Sequence, residues 1–435
     1  MRLLKFSGVK VHLRNHIGAW SKKYRKKPGE LDERVFKNQR LQDLLRRSGQ
    51  TFQADREFKK AAEALFWQAT CGFQCLFIKA WPLVSEFCYQ EFENIYRRIG
   101  VTILDGQEDR VHLYFHAAIQ TLKSFGLISE RKDDQHIFLI DKNGRLGDDI
   151  TNFMIEGFNH ILTDLTALWY RLKVEKAEWI IYITIEQKQQ KSNVMKLAGT
   201  AGWLPTECGS FKTLPKASHI GVGLVPGSDT VKAFKLFDLL DEAKSAARRH
   251  LMKCGDGRGN KWDEDSLEKL AETIGCAAAK YVYLQDDRRG NDKSDFVRML
   301  NDREINVYFL DHGSFCYTWR HYKEVENDDI VLDEDLECEL GSHLLKFAET
   351  VMTACKSVKP SLLCGYLSRL IQIFKTFSDD FKARKVFIFR NLELWRRKTL
   401  LCEAASSIMR RCFDLLGVPD PLLLCSEESD KSAGK

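Results

Sequence analysis

Trp179-Ile180-Ile181-Tyr182-Ile183-Thr184-Ile185 is an unbroken run of seven uncharged residues, mostly β-branched or aromatic. That is how a strand buried on both faces of a parallel sheet reads. Upstream, Leu165, Leu168, Trp169 and Leu172 fall at helical spacing and mark a short amphipathic helix. Downstream, Val194, Leu197, Ala198 and Ala201 repeat the helical period, and His219 to Val225 supply a second strand. Helix, strand, helix, strand is a βαβ pattern and predicts an α/β layer. Toward the N-terminus, Phe58, Ala61, Ala62, Leu65 and Phe66 share a helical face, as do Val84, Phe87, Cys88 and Ile95.

From Leu236 onward the strand signals fade. Leu363, Tyr366, Leu367, Leu370, Ile371, Phe374 and Phe377 form one helical stripe. Leu401, Ala404, Ala405, Ile408, Met409, Cys412, Phe413 and Leu416 form a second, ended by Gly417 and Pro419 in the usual order. Leu344, Phe347, Ala348, Val351, Met352 and Cys355 predict a third. Three stripes joined by short loops describe a helical bundle. The acidic stretch from Glu324 to Glu339 reads as a solvated connection between helices and lacks the spacing of a calcium loop.

Composition narrows the classes. A chain of 435 residues is long enough for two or three cores. No apolar run approaches the ~20 residues of a membrane span, and Met1 to Val11 does not read as a secretory signal. Thirteen cysteines contain no C-x-x-C pair, the closest spacing being Cys71 to Cys75. Free thiols in a reducing compartment are expected, and no structural zinc. Residues 1–60 hold 17 Lys/Arg against 6 Asp/Glu, an excess of 11 in a chain whose net charge is +6. A basic end of this kind suits a polyanion or is simply solvated.

The particular words of the sequence go further. Thr163-Asp164-Leu165-Thr166-Ala167-Leu168-Trp169-Tyr170-Arg171-Leu172 resembles the T-D-L-x-A-L-W-Y-R-L segment of arginyl-tRNA synthetases, and Lys176 to Tyr182 continues it. Ala201-Gly202-Trp203-Leu204-Pro205 is similar to that family's A-G-W-L-P, and His219 to Val225 to its H-V-G-F-G-L-V. Asp238 to Ala243, Ala278 to Tyr281, Met299 to Asp302, Leu401 to Ala404 and Asp414 to Gly417 resemble further segments in the same order. The resemblance implies an incomplete class I, Rossmann-type nucleotide-binding layer followed by an α-helical anticodon-binding bundle. Its expected divisions are residues 1–235 catalytic, 236–300 a helical connection, 301–420 anticodon-binding and 421–435 a disordered tail. It further implies ATP-dependent attachment of arginine to its tRNA in the cytoplasm, with ATP and Mg2+ as substrate and no tightly bound cofactor. Arginine, ATP and tRNA are the implied partners, with no membrane.

The resemblance also points to individual residues. Asp164 matches the aspartate that pairs with the substrate guanidinium, with His160, Gln189 and Gln190 around it. An aspartate at a helix N-terminus, favoured there whatever the substrate, is the alternative reading. His16 and Gly18, with Gly221 and Gly223, are the ATP-side candidates. Lys232 and Lys235 would stand for the catalytic lysines on the ATP phosphates, or are merely solvated. Tyr308 would stack on an unpaired base or sit in a core. Lys22, Lys23 and Arg25, with Lys26 and Lys27, would meet the tRNA backbone, serve as a targeting tract, or lie in solvent. Gly255, Gly257 and Gly259 before Lys261 do not have Walker A spacing and read as a connection.

Departures from the family pattern shape a second expectation. Arg14-Asn15-His16-Ile17-Gly18-Ala19-Trp20 resembles the segment that follows the H-x-G-H signature, so that signature is expected upstream of this chain. Ala19 replaces the acidic residue there, and Ser21 to Tyr24 replaces G-T-Q-F. Gly227 to Lys235 is several residues shorter than the second signature loop, and Ile185 to Lys191 keeps glutamines but not the family's aspartate, glycine and histidine. After Val307 to Leu310, Asp311-His312-Gly313 replaces the family's continuation. Little autonomous catalysis is therefore expected, along with association through an exposed, shortened sheet. The alternative to the ligase is a non-catalytic tRNA- or partner-binding protein.

Overall fold

The computed structural model describes residues 1–14, 50–51, 53–61, 93–101, 114–130, 137–139, 158–185, 188–205, 214–222, 236–254, 263–285, 332–384 and 392–419. In chain order their elements are α1 (Arg2–Phe6), α2 (Phe115–Ser124), β1 (Ile128–Glu130), β2 (Ile137–Leu139), α3 (Phe158–Lys173), β3 (Trp179–Ile185), α4 (Lys188–Thr200) and β4 (Lys216–Val222). They continue as α5 (Leu236–Cys254), α6 (Glu264–Gln285), α7 (Asp335–Leu345), α8 (Phe347–Ser357), α9 (Ser361–Ala383) and α10 (Leu392–Leu416). The chain divides into two units. One, here the helical unit, comprises Met1–Leu13, Ile95–Thr102 and Gly223–Lys435; the other, the strand-bearing unit, comprises Arg14–Asn94 and Ile103–Val222. No helix among the described residues is long and apolar enough to cross a membrane.

In the strand-bearing unit, β3, α4 and β4 form the expected βαβ piece, with β3 and β4 parallel and Trp179 opposite Lys216 through Ile185 opposite Val222. β1 and β2 make a separate antiparallel pair. The second strand begins at Lys216, three residues before the expected start. Leu165, Leu168 and Leu172 of α3 and Val194 and Ala198 of α4 close one core with Ile180, Ala201 and Trp203. Two-face burial does not hold along the whole of β3. Side chains alternate across a strand, so Ile180 and Tyr182 turn to this core while Ile183 is 62% exposed. Phe58, on the helical stripe read near the N-terminus, is also exposed.

The helical unit has its own, larger core. Ala243 and Ala247 of α5 meet Ala271 and Ala278 of α6, and these small residues let the two backbones approach. A Cβ on Gly275 would lie 2.5 Å from the Lys244 backbone nitrogen, so glycine is required at that crossing. An ion ladder laces the same hairpin: Lys244 to Glu268 at 2.7 Å, Arg248 to Glu268 at 2.8 Å, and Arg98 to Glu272 at 2.6 Å. The α9 stripe is buried as read, with Phe374 and Phe377 among the most enclosed side chains. Each such ring contributes roughly 1.5–3 kcal/mol by leaving water. Tyr281 of α6 reaches α9, its hydroxyl donating to the Cys364 carbonyl at 3.1 Å.

Two expectations in this unit are corrected. The third stripe is not one helix: it breaks at Lys346, which ends α7 and starts α8. The break resets the helical phase, so Leu344 and Val351 stay buried while Leu345, Ala348 and Met352 face outward. The acidic stretch is not solvated throughout. Glu334 and Glu337 form a capping box at the start of α7, and Glu337 is buried. Lys398, fully buried on α10, reaches Glu334 at 2.8 Å and Glu337 at 2.9 Å. The carboxylates therefore tie α7 to α10.

Candidate functional site

Asp164 sits in the seventh position of α3 and is only 6% exposed. No acidic residue occupies the first turn of that helix. The macrodipole acts within the first turn, so a helix N-terminal role does not account for Asp164. Leu165 and Leu168 lock the helix against β3 and α4, and Asp164 is carried into the packed layer beside them. Removing a carboxylate from water costs several kcal/mol unless it is engaged. Asp164 is engaged by its neighbours, and its charge reaches the Tyr182 phenol on β3. The Arg171 guanidinium lies 5.9 Å from the centre of the Tyr182 ring. Burial raises the Tyr182 pKa, the Arg171 charge opposes that rise, and the Asp164 charge adds to it. A carboxylate, a guanidinium and a phenol thus share the region between α3 and β3.

The topology gathers further candidates. Short connections place the C-terminal end of α3 near the start of β3, so the N-terminal part of α3 runs toward the carboxyl ends of β3 and β4. Ligands of open α/β sheets bind outside those ends. His160 lies one turn before Asp164 on α3, Gln189 and Gln190 open α4 directly after β3, and Gly221 is the penultimate residue of β4, paired with Thr184. Arg14 begins the R-N-H segment, and its guanidinium donates to Glu175 at 3.2 Å, just ahead of β3. His16, Gly18, Lys22, Lys23, Arg25, Gly223, Lys232, Lys235 and Tyr308 lie outside the described residues.

Trp179 and Lys216 close the opposite end of the strand pair. The indole N–H donates to Ser218 Oγ at 2.9 Å, and Lys216 Nζ lies 3.9 Å from the ring centre. These contacts fix the register of β3 against β4. Among the described residues no group of three His, Cys, Asp or Glu is arranged to hold a metal ion.

Two family descriptions match in succession: tRNA synthetases class I (R), catalytic domain, over residues 1–296, and DALR anticodon binding domain over residues 320–422. The chain belongs to the arginine–tRNA ligase family. Arginine–tRNA ligase, chloroplastic/mitochondrial, of Arabidopsis thaliana is 35% identical over 447 aligned residues, covering 96% of this chain and 66% of its own. The cytoplasmic arginine–tRNA ligase of the same plant is also 35% identical, over 96% of this chain and 72% of its own. The chain thus spans about two thirds of the length of these relatives. Its fold is similar to that of the arginyl-tRNA synthetase of Plasmodium falciparum, with a TM-score of 0.68 at 22% identity over 96% of this chain and 70% of that one. The Thermus thermophilus arginyl-tRNA synthetase gives 0.62 at 15% identity over 97% of this chain and 72% of that one. A class I catalytic domain followed by a helical anticodon-binding domain is therefore the architecture. That Asp164 and Arg171 both act on Tyr182 was not legible in the sequence, although all three lie in segments that resemble the family's.

Proposed function

We propose that this chain acts in ATP-dependent attachment of arginine to its tRNA, with Asp164 as the residue that receives the arginine side chain. The observation that carries the reading is a buried carboxylate on α3 whose charge reaches Tyr182, midway along β3 of the parallel strand pair. A guanidinium presents paired N–H donors that a carboxylate accepts side by side. His160, Gln189 and Gln190 complete the polar surroundings of arginine in this reading. His16, Gly18, Gly221 and Gly223 face ATP, which enters with Mg2+ as substrate, and Lys232 and Lys235 meet its phosphates. The arginine carboxylate attacks the α-phosphorus and pyrophosphate leaves; the terminal ribose hydroxyl of tRNA then takes the arginyl group and AMP leaves. Positioning and positive charge supply most of what such a phosphoryl step needs. Residues 1–235 carry this chemistry, 236–300 connect, and 301–420 hold tRNA, with Tyr308, Lys22, Lys23 and Arg25 as contacts. The cytoplasm is the proposed location, and the exposed Ile183 face of β3 a place where chains associate.

A second reading, a non-catalytic tRNA- or partner-binding protein, is favoured by two departures in the sequence. Gly227 to Lys235 is shorter than the family's second signature loop, and Ser21 to Tyr24 departs from G-T-Q-F. Each lost stabilising group costs about 10²–10³ in rate. Arginine-dependent ATP–pyrophosphate exchange, with tRNA present, separates the two. Exchange that Asp164→Asn abolishes supports the ligase; tRNA binding without exchange supports the second reading.

A further inference from the structure

Within the helical unit, a cavity of about 940 Å³ is bordered by Arg2, Arg97, Arg98, Lys280, Arg410 and Arg411. Four separate parts of the chain supply these cations: α1, the helical stretch ending at 98, α6 and the end of α10. Only two carboxylates share the lining, Glu272 and Asp414, and both are already matched. Glu272 takes Arg98 at 2.6 Å, and Arg98 also reaches Asp241 at 2.8 Å. Asp414 takes Arg2 at 2.9 Å. Lys280 donates to the carbonyls of Ile99 and Gly417, each at 2.6 Å. Those acceptors are neutral, so its positive charge is not cancelled.

Arg97 is exposed at the cavity lining and makes no ion pair with a carboxylate among the described residues. Arg411 is exposed as well, its guanidinium resting 5.5 Å from the Phe6 ring centre. Crowding of like charge is felt inside: burial lowers the Lys280 pKa, and the Arg2 charge lowers it further. Gly417, at φ +68°, keeps the space open, because a Cβ there would lie 3.1 Å from Arg2 Nε and 3.6 Å from Lys280 Nζ. The cations are spread over a broad hollow with two of them at its surface. That distribution fits a chain of phosphates better than one compact anion.

We propose that this cavity is a phosphate-binding site for RNA backbone, with Arg97 and Arg411 as the contacts at its mouth. It rests on the reading of the chain as tRNA-binding and assigns that contact to residues outside the candidates of the strand-bearing unit. Phosphate contacts release counterions, so each one adds to the dependence of affinity on salt.

The test uses the full chain, a labelled tRNA and a salt series from about 50 to 200 mM. Arg97→Gln with Arg411→Gln should weaken binding and lower the log–log salt slope by about 1.4–1.8, the value for two lost contacts. Ser407→Glu, on an exposed lining position of α10, adds a negative charge without deleting a contact and should weaken binding too. Lys356→Gln with Lys375→Gln, exposed cations elsewhere on the unit, should change the slope less. Unchanged slopes in both cavity variants, or an equal loss in the control pair, overturn the proposal. Inorganic tripolyphosphate, followed by calorimetry, separates the sources. If it depends on the cavity residues while tRNA does not, the site takes free phosphate and the RNA assignment fails. If the parent chain holds no tRNA at all, the tRNA-binding reading fails by itself, and tripolyphosphate still decides whether the cavity takes phosphate.

Discussion

The helical unit and the strand-bearing unit solve the same problem with different means. In the helical unit, α5, α6, α9 and α10 bury apolar stripes, and buried or laced charges fix how the helices meet. In the strand-bearing unit, two short parallel strands depend on α3 and α4 for cover, and one strand residue remains open to solvent. A helix completes its backbone hydrogen bonds within itself, so its apolar face is the main thing left to place. A strand must find both a neighbour and a cover, and both come from elsewhere in the chain. Specificity in the first unit should therefore reside in a few charged ties, and in the second in apolar cover.

The largest effect is expected where a tie is cut in the helical unit. Lys398 is fully buried and bridges Glu334 and Glu337, whose other oxygen accepts from the Asp333 and Glu334 amides. Lys398→Met keeps the volume but leaves the buried Glu337 without a cation, while Glu334 keeps Arg384; breaking a buried pair costs about 3–5 kcal/mol. Urea unfolding of the full chain should show that loss. Hydrogen exchange should rise in 335–345 and 392–416 and stay unchanged in 158–173. If protection falls equally in both regions, the units are not energetically separate.

Next comes the cover of the strand pair. Leu168 of α3 is completely buried against Ile180, Val194 and Ala198. Leu168→Ala should cost about 2–5 kcal/mol, the range for a buried leucine that leaves a cavity. Exchange should now rise in 158–173 and 179–185 rather than in α9. A cost below about 1 kcal/mol would mean that the site collapses around the smaller side chain.

A smaller, graded effect is expected with acid. The Arg384 guanidinium holds the Glu334 carboxyl below its usual range, with Lys398 assisting. Lys244 does the same for Glu268. A carboxylate whose folded pKa is depressed stabilises the fold above its unfolded pKa and loses that contribution as pH falls through the folded value. The helical unit should therefore weaken as pH drops below the ordinary glutamate value of about 4.3. Glu334→Gln should flatten that decline. An unaltered acid profile in the variant would show that this tie does not contribute.

These contrasts match what was legible in the sequence. The stripes on α9 and α10 translate almost residue for residue into the core, because period and burial are both local properties of a helix. The phase reset at Lys346 was not legible: no glycine or proline marks it, and it becomes apparent only from the packing of α7 and α8. The capping box at Glu334 and Glu337 was readable in principle but hidden in an acidic run, and its partner Lys398 lies more than sixty residues away. Asp164 was readable from a family segment. Its depth inside α3 was not, because the segment does not announce where the helix begins. The basic cavity had no signal at all, since its cations come from four distant stretches.

The smallest effect concerns the strand from which the fold was read. Ile180 and Ile183 look equivalent in an unbroken apolar run, yet Ile180 is 7% exposed and Ile183 62%. They are three positions apart, so the two-residue period sends them to opposite faces of the strand pair. Ile180 faces α3 and α4, and truncating it to alanine should cost about 2–5 kcal/mol. Ile183→Thr keeps the β-branched shape that suits a strand, removes no buried contact, and should fall within about 0.5 kcal/mol of the parent. The measurement is urea unfolding of both variants beside the parent, with sedimentation of each at several concentrations. If exposed Ile183 also serves chain association, its replacement should reduce self-association while leaving unfolding unchanged. A loss at Ile183 as large as that at Ile180 would mean that both faces of β3 are covered in solution, and the original two-face reading of the run would be right after all.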